Sequence, residues 1–372
     1  MYFPVRENRD KEDMKYYSIY ILLILGFVFS SCNDEMTKSF EAKPVALARM
    51  NEIIVVTDED AWKGELKDTV KYYFESAYPI MPTPEPMFDL RYFSPEDLDG
   101  EPLRKELRTY LVVVDLSDAE SPATKMLRRD LGEERYLRAK SDPTFQTSVG
   151  KDKWARGQII IYLFANGKDK LYEAIRKNYP AIAKRVRLHD SEQLEASIYS
   201  VKKENLGLTR ILDEKFGVEM NVPGDFIRAK EEEDFIWLKK DTKDATLGIV
   251  VKTIPYTSQD QYSIDNIIKL RDEYGKNEIS SSESGSYMIT NSEDLPVYDY
   301  TYEIDGHYTR EIRGVWEMVN DYMGGPFATY MIQDPANGKI IFIDTFVYAP
   351  GKGKRDMMLQ LEYIVKNAKL DS

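Results

Sequence analysis

The sequence predicts an α+β protein of two domains. An N-terminal α/β-type domain with a mixed sheet is expected over residues 44–216, and a C-terminal domain over 217–372 whose antiparallel sheet is flanked by helices. Three observations predict it. At 372 residues the chain exceeds the usual size of one domain. Its first half alternates β-branched runs with helical periodicity, the pattern of crossover units. After Gly217 strand candidates follow one another with few helices between them, the pattern of an antiparallel sheet. The 26 tyrosines, against 15 phenylalanines and 4 tryptophans, add to the sheet-rich reading, because Tyr suits half-buried strand positions.

The first element is a leader. Lys15 precedes the uncharged apolar run Tyr16–Phe29, then come the small pair Ser30 and Ser31, then Cys32, the sole cysteine. This is the order of a secretory signal over residues 1–31, with Met14 a candidate true start. The run is about 14 residues long, short of the roughly 20 that span a bilayer as a helix. Its small-small-Cys ending resembles the lipobox of bacterial lipoproteins, which implies diacylglycerol on the Cys32 thiol and cleavage just before it. Cys32 is thus the expected lipidation site and residues 32–43 the anchor and tether; an uncleaved membrane helix is the alternative. Asn33, Asp34 and Glu35 resemble an acidic sorting signal for the outer surface.

Asn51–Thr57 (NEIIVVT) reads as a buried strand, and Asp58 or Asp60 as the cap of a helix over Ala61–Ser76. Pro79, Pro82, Pro84 and Pro86 exclude helix from the next stretch. Met87–Phe93, Thr109–Leu116 and Gly157–Phe164 read as strands, and Ser121-Pro122 opens a helix that runs to Lys140. Helix resumes at Asp169 with a break expected at Pro180, and Asp190–Lys215 reads as one long amphipathic helix stopped by Gly217. Beyond it, Val218–Val222, Phe235–Lys239, Leu247–Ile254, Val297–Ile304, Tyr308–Glu317, Ala328–Gln333 and Ile340–Tyr348 read as strands. Helices are expected at Ser263–Tyr274 and Lys354–Lys369, and Ser280–Ser286 reads as exposed loop.

The net charge of −13 disfavours nucleic acid and anionic lipid surfaces, both of which need clustered Lys and Arg. His307 follows Asp305-Gly306, a hairpin-turn pair, and reads as the start of a strand. His189, Asp190 and Ser191 are adjacent, which is the wrong geometry for a triad whose members converge from separate elements. No zinc-helix, calcium-loop or nucleophile-elbow motif occurs, so no catalytic residue, metal or cofactor is expected. Glu231–Asp234 (EEED) reads as a solvated turn rather than a cation site. Pro350–Lys354 (PGKGK) reads as a loop, with anion binding at the following helix start as the alternative. Trp62, Trp154, Trp237 and Trp316 read as packing residues, with sugar stacking as the alternative. Asp68-Thr69-Val70 resembles the O-glycosylation sequon of Bacteroidota.

Cys32 together with NEIIVV, TPEPMFDLRYF, GQIIIYLFA and FIDTFVYAPGKGKRDMMLQLE resembles a lipoprotein family of Bacteroidota, domain of unknown function 4837, over residues 44–370. The resemblance implies export and lipidation and carries over no catalytic residue. VEMNVPGDFIRAK, which opens the second domain, is similar to the strand-Pro-Gly-aromatic opening of PsbP-type folds, which implies a binding or assembly module. The expected function is therefore that of a lipid-anchored cell-envelope protein, at the outer membrane on its periplasmic or surface face, that acts by binding. Its expected partners are the membrane through Cys32, and envelope proteins or glycan, with no nucleic acid. One alternative is an envelope hydrolase acting on glycan or peptide through Asp, Glu and Tyr. Another is a structural partner using the tyrosine-rich sheet face of the second domain. A clustered carboxylate pair in a deep cleft with strongly shifted pKa values would favour the hydrolase, and a flat exposed aromatic patch the structural partner.

Overall fold

The computed structural model describes residues 43–47, 49–200 and 202–370, and two sheets organise them. The first holds β1 (Glu52–Val56), β2 (Asp89–Phe93), β3 (Thr109–Asp115), β4 (Thr147–Lys151) and β5 (Ile159–Ala165) in the order β2-β1-β3-β5-β4. Its strands run parallel except β4, which lies antiparallel at the edge. Helices α1 (Glu59–Lys63), α2 (Glu65–Phe74), α3 (Pro95–Gly100), α4 (Pro122–Leu131), α5 (Glu133–Ser141) and α6 (Lys168–Ile198) connect and cover the strands. β5 is buried at every residue and β3 at all but Asp115. Both faces are covered: α2 and α6 bring Leu66, Val70, Leu171 and Ile175 to one, α4 and α5 bring Met126, Leu127 and Tyr136 to the other. That double burial is why these strands are continuous apolar runs without alternation.

The second body begins with α7 (Leu206–Phe216) and β6 (Val218–Glu219). There follow β7 (Ile227–Glu231), β8 (Phe235–Asp241), β9 (Thr246–Pro255), α8 (Ile264–Glu278), β10 (Tyr287–Asn291), β11 (Tyr298–Ile304), β12 (His307–Val319), β13 (Gly324–Asp334) and β14 (Lys339–Tyr348). The chain closes with α9 (Arg355–Lys366) and β15 (Lys369–Leu370), which pairs with β6. The large sheet is antiparallel in the order β10-β12-β13-β14-β9-β8-β7, with β11 pairing on β12 beyond the stretch that takes β10. Helices α7 and α9 pack on one face through Leu212, Phe216, Met358 and Leu361. Helix α8 covers the other, where Arg271 is fully buried against Asp344, with the Tyr274 and Thr329 hydroxyls completing that carboxylate's shell. The α+β class with a mixed first sheet and a helix-flanked antiparallel second sheet is as the sequence predicts.

Several elements differ from expectation, each for a physical reason. Gly64 divides the helix expected over Ala61–Ser76, and Gly132, at φ 78°, divides the one expected to reach Lys140. Asp58 does not cap its own helix; its Oδ1 accepts from the Ala123 N–H at the start of α4, 2.8 Å away. Ser121 does cap α4, accepting from Thr124 N–H at 3.1 Å. No break occurs at Pro180. It sits on the exposed side of α6, while Ala174, Ile175, Ile182 and Ala183 stay packed on the sheet either side of it. Conversely, the single helix expected over Asp190–Lys215 is two, because α6 ends at Ile198 and α7 starts at the Asn205 cap. Gly217 ends α7 in the left-handed conformation, as expected. Strands β4, β7 and β10 fall where the sequence pattern suggests none.

Candidate functional site

The two bodies are fastened by the proline-rich stretch after α2. The Glu85 carboxylate reaches across and accepts the N–H groups of Lys354 and Arg355 at 2.7 and 2.9 Å. It therefore occupies the positive N-terminus of α9 and satisfies donors that a helix start leaves free. Gly353 makes room for it, since a Cβ there would meet Glu85 Oε2 at 3.1 Å. Arg355 returns the contact with a forked grip on Asp89, at 3.2 and 2.8 Å, and donates to Pro86 O at 2.8 Å. Burial works against the Arg355 charge, but Asp89 and Asp356 outweigh it and raise its pKa. Asn51, in a left-handed turn that Asn tolerates, donates its backbone N–H to Asp190 at 3.1 Å and its amide to Asp356 at 2.9 Å, and its carbonyl accepts from the Asp89 N–H at 2.8 Å.

These fasteners frame a cavity of about 490 Å³ between the bodies, lined from the first by Asn51, Tyr78, Pro79 and Asp190 and from the second by residues of β11, β12 and α9. Its floor is an ionic cluster. Arg313 of β12 donates to Glu311, to Glu362 Oε1 at 2.7 Å and to the Tyr78 hydroxyl at 3.2 Å. Tyr78 donates to Glu362 and Tyr302 to Glu311. Lys366, one turn beyond Glu362 on α9, lies 3.2 Å from Glu362 and 3.5 Å from Glu311. Burial alone would raise the pKa of Glu362, yet Arg313 and then Lys366 reverse this and hold it at about 2. The phenols of Tyr78 and Tyr302 are pushed up, first by burial and then by the carboxylate each one touches. Tyr330 lies fully buried beneath, and its hydroxyl has no hydrogen-bond partner among the described residues. The cluster sets the carboxylates of Glu311 and Glu362 against Arg313 and Lys366, and it holds Glu362 ionised. Glu311, Arg313, Glu362, Lys366 and the tyrosines were not among the sequence-derived candidates. The signal that marks them is charge in an apolar frame: Glu311 and Arg313 interrupt a buried strand, and Glu362 falls on the helix face of Met358, Leu361 and Val365.

The residues weighed from sequence lie elsewhere or serve other ends. His189 Nε2 contacts Gly157 O at 3.1 Å, Ser191 Oγ donates to Leu188 O at 2.8 Å, and Asp190 pairs with Arg108, so no triad forms. Burial raises the Asp190 pKa; burial and then Arg108 lower that of His189. His307 opens β12 after a two-residue turn in which Asp305 and Gly306 both have positive φ, as expected. Within Glu231–Asp234, Glu231 pairs with Lys215 and Arg228, and Asp234 with Lys252 at 2.7 Å. No group of three metal-ligating side chains occurs among the described residues. The PGKGK helix start carries an anion of the chain's own, Glu85. Trp62 stacks on Tyr92, Trp154 packs edge-on against Tyr110, Trp237 and Trp316 pack at an angle against Phe346, and none of them lines the cavity. Thr69 sits within α2 and donates to Glu65 O at 3.0 Å. Cys32 and the leader lie outside the described residues. No helix among the described residues is long and apolar enough to cross a membrane.

Residues 206–367 match the family model described as domain of unknown function DUF4837. Residues 46–199 match a different one, domain of unknown function DUF8532, so the resemblance expected over 44–370 divides between two families. No curated protein matches the chain. Among solved structures, the Saccharomyces cerevisiae Ran-binding protein Mog1p is similar at 8% identity, covering 41% of this chain and 90% of its own, with a TM-score of 0.27. LpqN of Mycobacterium tuberculosis, described as involved in cell envelope biogenesis, is similar at 10% identity over 42% of this chain and 83% of its own, with a TM-score of 0.26. The lipid transfer and protein localization domain of human StarD13 is similar at 10% identity over 44% of this chain and 94% of its own, with a TM-score of 0.20.

Proposed function

From the match of residues 206–367 to the DUF4837 family model, we propose that the protein is a lipid-anchored component of the cell envelope that works by binding a ligand in the cleft between its two bodies. The observation that carries the binding role is the state of the paired carboxylates on the cleft's floor, Glu311 and Glu362; Asp190, whose pKa burial raises, is already engaged by the Asn51 N–H and by Arg108. A glycoside hydrolase needs one carboxyl kept protonated by a raised pKa and a second that is free to act. Glu362 is instead held far below the usual range, and Glu311 is engaged by Arg313 and Tyr302. A clustered acidic pair is present, but its electrostatics run opposite to those of an acid catalyst. What the cleft offers is shape, tyrosine rings and fixed dipoles, the equipment of a binding site.

The anchor rests on the order of residues from Lys15 to Cys32. Intact mass of the chain recovered from membranes, for the wild type and Cys32→Ala, tests it. The proposal expects a species that begins at Cys32 with added acyl mass, absent from the variant. An unmodified, uncleaved chain would remove the anchor and the envelope location with it.

A further inference from the structure

We propose that the ligand of this cleft is an extended polypeptide segment, uncharged overall and apolar at alternate positions, that adds as a strand to the free edge of β11. The inference rests on reading the cleft as a binding site and deepens that reading. Four observations converge on it. The first is the edge. Among the described residues β11 pairs only with β12, through an unbroken register from Tyr298↔Arg313 to Ile304↔His307. Because the two-residue turn makes Ile304 and His307 a hydrogen-bonded pair, the alternation of an antiparallel ladder points the backbone groups of Asp299, Thr301 and Glu303 outward. Among the described residues none of these outward groups has a backbone partner. β11 also carries no proline, lysine or bulge, three of the devices that protect an edge from strand addition, and its two charges, Asp299 and Glu303, alternate with the tyrosines and so fall on the opposite face from the groove.

The second observation is the shape beside that edge. Next to the 490 Å³ cavity lies one of about 360 Å³, and both are lined by Tyr78, Pro79 and Tyr300. Together they follow β11 from Leu295 and Pro296 to Tyr302, on the side of the sheet where Tyr298, Tyr300 and Tyr302 project. An added strand would send every second side chain into this double groove.

The third is its chemistry. The smaller cavity is lined by Ala, Ile, Met, Leu, Pro and Tyr alone, so its only side-chain polar groups are the phenols of Tyr78, Tyr298 and Tyr300, and the first of these is already held by Glu362 and Arg313. The larger has three carboxylates, Asp190, Glu311 and Glu362, against three cations, Arg187, Arg313 and Lys366, so it favours a neutral occupant. The fourth is a waiting donor. Arg313 lines the cavity, is 7% exposed, and spends Nε and Nη1 on protein partners, while its Nη2 has none among the described residues. A backbone carbonyl is a neutral acceptor that suits it.

The test is selection of random twelve-residue peptides on phage against the full chain, followed by titration of the best peptide in synthetic form. The inference expects a binder whose alternate residues differ: N-methylation at one set abolishes binding, and at the other set leaves it. It also expects Thr301→Pro, which removes one outward N–H, to weaken binding about tenfold with an unchanged melting temperature. The peptide series needs no change to the protein, so it decides the matter even if that variant unfolds. Equal effects of both methylation sets would overturn strand addition. Failure of any peptide to bind, with cellohexaose or chitohexaose binding in its place, would overturn the peptide ligand and leave the cleft's binding role standing. Binding of neither peptides nor these sugars would overturn both.

Discussion

Glu362 carries a charge that burial alone would remove, and what keeps it is Arg313 and Lys366. The consequence for stability has a definite sign. A carboxylate with a folded value of about 2, against an ordinary 4.5, stabilises the fold above about pH 5 and gives that contribution up as pH falls towards 2. Its size is on the order of 3 kcal/mol. Urea unfolding across this window should therefore show Glu362→Gln to be less stable than wild type near neutrality and less sensitive to acid. Parallel curves would contradict the assignment. Arg313→Met strands two buried carboxylates with Lys366 as their remaining cation, and should cost about 3–5 kcal/mol. Tyr330 gives the opposite case. Its buried hydroxyl has no partner among the described residues, so Tyr330→Phe should leave stability unchanged or raise it by about 1 kcal/mol, read from the same urea midpoints. A loss would mean that the hydroxyl is in use.

At the scale of elements, the join between the bodies depends on a helix start. Glu85→Ala removes the carboxylate from the N-terminus of α9, with an expected loss of about 1–2 kcal/mol in thermal or urea unfolding. Elements that bury both faces were legible in the sequence: TYLVVVD and IIIYLFA could be little else than central strands. β4 (TSVGK), β7 (IRAKE) and β10 (YMITN) were not, because edge strands are half solvated and lack that signature. Pro180 misled because a helix held by packing on both sides tolerates a proline on its wet face. The boundary between α6 and α7 was hidden because no glycine or proline marks residues 199–205, while the apolar spacing persists on either side. The cleft was the least legible part. Tyr78 and Arg313, whose contact closes its floor, are 235 residues apart, and a charge that interrupts a buried strand does not say which distant side chain it meets.

For the whole molecule, the packing of α7 decides where the second body begins. Leu208, Leu212 and Phe216 lie in the core formed on the second sheet by α9 and its neighbours, away from the first. Each such side chain contributes about 1.5–3 kcal/mol by burial. A fragment over 206–372 should accordingly melt cooperatively, whereas 217–372, the boundary suggested by the sequence, should be molten or insoluble. Cooperative melting of the shorter fragment would show that α7 is dispensable. The claim on which the functional account turns is that the cleft binds through an ionised floor and does not act as an acid. The carboxyl carbon shift of Glu362, followed by NMR from pH 8 downward, reads this directly. The account predicts an ionised carboxylate with no titration above about pH 4. A midpoint above about pH 5, the range of a working general acid, would contradict it and restore the hydrolase.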